Sequence, residues 1–172
     1  RPLIARYAPG AALPVDLARV QSGLNVRLRD YEKQKALKRF SYDLKVDTDE
    51  VVQPSPGPNF TGPNGCSLRE PSSPTFQEVV RNFHGSNITI FVLKQGTPLP
   101  ETLTLLHEHS DLFSLQCTKP MKLNGAHFSS CSYFDGLIPK IAYLNKELTE
   151  FFRAHARVLD KEQFDEEHPF SV

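Results

Sequence analysis

At 172 residues the chain has the length of one domain, enough to bury about two thirds of the surface that its unfolded form exposes. Its 20 basic side chains balance 20 acidic ones, so no overall field draws in nucleic acid or an anionic membrane, and an anionic ligand needs a local site. The longest apolar runs fall far short of the roughly 20 residues that cross a bilayer, and the opening on Arg1 rather than Met reads as a fragment.

Residues 1–16, rich in Pro, Gly and Ala, read as an irregular arm, and a single domain is expected over 17–172. "DLARV" is a first or edge strand that carries Arg19. In "LNVRLRD" the apolar Leu24, Val26 and Leu28 alternate with Arg27 and Arg29, which predicts a half-buried strand, and Asp30 is placed to cap a helix over 31–40. From Gln53 to Pro74 the composition is that of a loop. A structureless stretch of that length inside a compact domain points to function or disorder.

"TFQEVVRNFHG" repeats Phe76, Val79, Val80 and Phe83 at helical spacing and stops at Gly85. "NITIFVLK" is apolar on both faces, as a central strand is, and "TLTLL" and "LFSLQC" are two further strands. Between those two lies His107-Glu108-His109, read as a surface turn. The alternatives are a pair of metal ligands or an acid/base pair; zinc needs a third protein ligand, which the sequence does not place. Residues 124–144 lack helical periodicity and read as an insertion. Leu144 to Leu159 then follow one helical face, with "KEQFDEEHPF" as a charged tail. The sum is an α+β class with an antiparallel strand set.

Three cysteines, Cys66, Cys117 and Cys131, form no C-x-x-C pair and read as reduced thiols rather than a disulfide framework or a zinc site. Cys66 as a nucleophile, with His84 in the same region, has only Arg69 as a local cause for a lowered pKa, and an inert packed thiol is the simpler reading. "GPNGCSL" offers backbone amides to a phosphate but has neither the lysine nor the spacing of a P-loop. The tripeptides starting at Asn59 and Asn87 match the glycosylation sequon, which arises often by chance and does not fix the compartment.

The order of these pieces is more specific than any one of them. An arginine in a first strand, a Gly-rich loop ending in Cys66-Ser67, a helix, then "GTPLP", an Asp-x-Phe-Ser strand and "KPM" resemble the exported toxin family of bacterial type VI secretion and its fungal relatives, over about 17–123 plus the final helix. The resemblance implies a small split antiparallel sheet of ADP-ribosyltransferase type with flanking helices, with NAD as substrate in the cleft between the halves. It implies an unknown macromolecular acceptor, or NAD hydrolysis, and an inhibitory partner protein; the protein would be soluble, in the cytoplasm or exported. It assigns Arg19, Cys66 and Ser67 to the dinucleotide, and Arg19, Ser67, His109 and Gln116 to catalysis, with Glu108 as an alternative to Gln116. Two departures stand out: Leu112 replaces a histidine of the bacterial form, and Cys66 replaces a threonine. They leave two other readings open, a non-catalytic interaction module that keeps the fold and a metal-dependent hydrolase using His107 and His109.

Overall fold

A computed structural model of the protein describes residues 1–125 and 141–169. The strands and helices are, in chain order, β1 (Ala5–Tyr7), β2 (Leu17–Ser22), α1 (Tyr31–Ala36), β3 (Val51–Val52), β4 (Cys66–Arg69), α2 (Pro74–Arg81), β5 (Ile88–Leu93), β6 (Leu103–His109), β7 (Leu112–Cys117), β8 (Met121–Lys122), α3 (Leu144–His155), β9 (Arg157–Leu159) and α4 (Lys161–Glu167). Seven strands form one antiparallel sheet in the order β1-β6-β7-β4-β2-β5-β9, and β3 pairs with β8 apart from it.

One junction in the large sheet is nearly open. Strand β2 runs against β5 over all six of its residues, yet it meets β4 in register only at Ala18 and Arg69. The sheet is thus almost divided into β1-β6-β7-β4 and β2-β5-β9, joined between β2 and β4 by that one registered pair.

Each face has its own core. Leu17, Phe91, Leu93, Leu115 and Cys66 pack with the apolar stripe of α3, Leu144, Leu148, Phe151 and Phe152, and Phe91 stacks on Phe152 at 4.9 Å. On the opposite face Ala18, Ile90 and Leu159 pack with Phe76 and Val80 of α2 and Phe164 of α4. The α2 N-terminus is fixed by Ser73, whose hydroxyl accepts from the Phe76 amide with Pro74 at the first helical position. The same hydroxyl donates to Asp111, which Arg69 also engages at 2.5 Å, so the β6–β7 turn is tied to α2.

The structure departs from the sequence reading in several places. The expected irregular arm contributes β1, which pairs with β6 at Ala5–His107, Arg6–Leu106 and Tyr7–Leu105. The segment 24–30 buries Val26 and Leu28 as its alternation predicts but leaves Leu24 exposed, and it is not a strand: the Val26 and Leu28 amides donate to Thr149 Oγ1 (2.9 Å) and Asn145 Oδ1 (3.0 Å) on α3. Side chains of a helix take the place of a neighbouring strand. Asp30 caps α1 as expected, through the Lys33 amide at 3.3 Å, but the helix ends at Ala36 and buries none of its residues.

The loop-like 53–74 contains β4, and α2 ends at Arg81, capped by Asn82, rather than at Gly85. The final helical run breaks at Ala156, and 157–159 becomes the edge strand β9 on β5 before Asp160 and Gln163 form a capping box for α4. The region read as an insertion lies mostly outside the described residues, as does Cys131.

Candidate functional site

Arg19 stands beside the open junction. Its Nε donates to Gln21 Oε1 at 3.0 Å, and its Nη1 reaches the carbonyl oxygen of Ser67, across the gap, at 3.4 Å. Gln21 is buried, and its amide nitrogen donates to the carbonyls of Gly23 (2.9 Å) and Asn25 (3.0 Å), so the turn after β2 holds Gln21 and Gln21 holds the guanidinium. Past Gln21 the surface opens into a cleft of about 530 Å³, lined among others by Asn25, Arg27, Arg29, Phe83 and Asn87. Arg29 forks onto the buried Asp43 carboxylate, Nε to Oδ2 and Nη2 to Oδ1, both at 3.0 Å. That ion pair raises the Arg29 pKa above its ordinary value.

Cross-strand register sorts the remaining side chains by face. Ser67 is paired with Ser114, and Arg69 and His109 are both paired with Leu112, so Ser67, Ser114, Gln116 and His109 share one face of the β1-β6-β7-β4 half. Arg19 belongs to the other face, with Leu17 and Gln21, as does Cys66. The structure therefore brings Arg19 to the Ser67 backbone while the Ser67 hydroxyl, exposed, points to the opposite side.

On the Ser67 side runs a hydrogen-bonded relay. Asn64 Nδ2 donates to Gln116 Oε1 (3.3 Å), Gln116 Nε2 donates to Ser114 Oγ (2.9 Å), and Ser114 Oγ donates to Glu108 Oε1 (2.7 Å). Gln116 and Glu108 are both buried. Burial pushes the Glu108 carboxyl above its ordinary pKa, against the opposing pull of the Ser114 hydroxyl and of Arg69. Asn64 ties the Pro-rich loop to this relay, since its Nδ2 also donates to Gln53 O at 2.8 Å and Ser55 Oγ at 3.0 Å.

The His107-Glu108-His109 triplet is the end of β6, not a turn; the turn follows at Ser110, where φ is +49°. A register shift between His107 and His109 separates their rings. His107 stacks on Phe113 at 3.9 Å with Nε2 2.6 Å from Ser110 O, whereas His109 meets the edge of Phe60 at 5.8 Å. Burial, with Arg1 and Arg69 nearby, lowers the His109 pKa. Among the described residues no three His, Cys, Asp or Glu side chains group so as to hold a metal ion.

Cys66 is fully buried, and desolvation pushes its thiol up to about 11 although Arg19 opposes the shift. Sequence reasoning missed Gln21, Ser114 and Asn64. Ser114 and Gln21 sit two residues from the chosen Gln116 and Arg19, and strand alternation was the available signal.

A family model described as the Tse2 ADP-ribosyltransferase toxin matches residues 15–164. The chain belongs to the Tse2 ADP-ribosyltransferase toxin family. No curated protein and no solved structure matches it. No helix among the described residues is long and apolar enough to cross a membrane.

Proposed function

We propose that the chain consumes NAD at the open junction between β2 and β4, transferring ADP-ribose to a macromolecular acceptor or to water. The observation that carries this reading is Arg19, a half-buried guanidinium held by Gln21 in the gap of a nearly divided sheet. A guanidinium fixed there is placed to fork onto a pyrophosphate, and Arg27 adds positive charge along the adjoining cleft, where Arg29 is already paired with Asp43. Family membership supplies the reaction class, and the kinship with fungal relatives rests on the order of sequence motifs. In this reading the sheet is of the split ADP-ribosyltransferase type, and an inhibitory partner would protect the producing cell.

Breaking the nicotinamide glycosidic bond leaves an oxocarbenium-like ribose, which a neighbouring oxygen or amide stabilises. Ser67 offers an exposed hydroxyl on the far face of β4 from Arg19, so in this reading the ribose must lie over the edge of the gap to meet both. Gln116 is buried behind Ser114 and orients the Ser114 hydroxyl, which donates to Glu108 at the end of the relay. His109 on β6 is the cross-strand partner of Leu112, so in this reading it stands beside the position at which the resemblance expects a histidine.

The test is incubation of the protein with labelled NAD and a cell lysate, following nicotinamide release and label transfer together, beside Arg19→Ala. Release that depends on Arg19 supports the reading, and the labelled species identifies the acceptor. A folded protein silent in both channels would favour the second reading, an interaction module without chemistry, for which Leu112 is the specific observation.

A further inference from the structure

We propose that the tip formed by residues 33–40 is a docking element for an anionic lipid surface. The chain as a whole is neutral, but this tip is not. Lys33, Lys35, Lys38 and Arg39 fall within seven residues, all exposed, and none of them enters an ion pair among the described residues. Among and after them two apolar side chains face solvent: Leu37 is 59% exposed and Phe40 98%.

The backbone presents these groups outward. The helix α1 is closed by the Leu37 amide on Gln34 O (3.1 Å), Lys38 takes a left-handed φ of +57°, and the Arg39 amide returns to Gln34 O at 2.9 Å. That closure turns the chain so that Phe40 projects past the helix end. Beneath it the base is stiff: Tyr31 and Tyr42 meet edge to face at 4.9 Å, and the Lys45 ammonium lies 4.4 Å from the Tyr31 ring centroid.

Charge complementarity and shape together select the occupant. A projecting tip with two apolar side chains covers too little area for a stable protein interface, which needs a broad patch. A lipid surface asks for less: interfacial Phe and Leu enter between headgroups, while each nearby Lys or Arg gains from an anionic leaflet. Four exposed cations within a few residues of the exposed Leu37 and Phe40 supply that chemistry, and the attraction must weaken with salt.

The experiment is co-sedimentation of the full chain with phosphatidylcholine vesicles, with and without phosphatidylserine, at low and high salt. Binding is expected only with phosphatidylserine, reduced by salt, and at least about tenfold weaker in Phe40→Ser and in Lys38→Glu/Arg39→Glu. Both variants change exposed side chains, so an unchanged melting temperature shows that they are folded. Absence of binding to the phosphatidylserine vesicles, or binding that both variants retain, overturns the proposal. Binding to a duplex oligonucleotide or to polyglutamate instead of the vesicles overturns it as well and assigns the tip to a macromolecular partner. The readout needs no NAD, so it succeeds or fails independently of the reaction proposed above.

Discussion

Arg19 and Ser67 lie on strands from opposite halves of the sheet, and the Arg19 Nη1 donates to the Ser67 carbonyl oxygen across the opening at 3.4 Å. A hydrogen bond of that length is weak and easily exchanged for a charged acceptor on a ligand. Gln21 holds the other side of the guanidinium, so the arginine stays aimed at the gap when the Ser67 contact is given up.

Arg19→Ala is therefore expected to reduce NAD cleavage by about a hundredfold or more, the scale on which a preorganised charged donor acts. Arg19→Lys should restore little, because an ammonium cannot hold Gln21 and a ligand in one plane. Ser67→Ala removes an exposed hydroxyl and is expected to abolish cleavage with the melting temperature unchanged. Full activity in a folded Arg19→Ala/Ser67→Ala double variant would take both residues out of the site.

The Glu108 carboxyl titrates in a way that stability measurements can read. Its folded-state pKa is raised by burial, so the native state binds the proton more tightly than the unfolded chain does. The contribution of Glu108 is most favourable below the ordinary glutamate range, about 4.3, and is lost as pH rises through the raised native value. Glu108→Gln keeps an acceptor for the Ser114 hydroxyl without the charge. Its melting temperature relative to the parent should rise between pH 4 and 7, and a difference flat in pH would show that Glu108 carries no such penalty.

Much of the fold was legible where side-chain periodicity and backbone partners agree. The apolar run 88–93 and the alternation of Phe113, Leu115 and Cys117 are strands because both faces of the sheet are covered. Where the partner is remote, pattern was not enough: Val26 and Leu28 bury as a strand would, yet their amides are met by Asn145 and Thr149, more than a hundred residues away in the chain. Likewise Leu159 continues the apolar stripe of α3 only in sequence, since Ala156 turns the backbone and β5 offers an edge. Arg19 and Ser67 were named from motif order, but their placement on opposite faces depends on the Ala18–Arg69 pairing, which no local pattern encodes.

Gly65 is required by close approach. A Cβ built on it would lie 2.2 Å from the Leu115 carbonyl oxygen, and its amide donates to Asp43 O at 3.0 Å, so neither strand can withdraw cheaply. Gly65→Ala must push β4 away from β7 next to the candidate site. Overpacking of this kind costs about 1–3 kcal/mol, which in a chain of this size lowers the melting temperature by about 2–12 °C. Calorimetry of the variant checks it, and an unshifted transition would mean that the strands separate freely there.

The burial of Cys66 and its pKa, pushed up to about 11, argue against covalent chemistry there near neutral pH. Cys117, also buried, is pushed up to about 11 by the same cause. Iodoacetamide at pH 7 should leave both peptides unmodified in the native protein and label them after denaturation, as read by mass spectrometry of the digest. Cys66→Ala exchanges a small buried thiol for a methyl, so a modest loss of stability with NAD cleavage intact is expected. Loss of cleavage in a folded Cys66→Ala protein, together with native alkylation of Cys66, would instead make the thiol a participant and move the chemistry to the core face of β4.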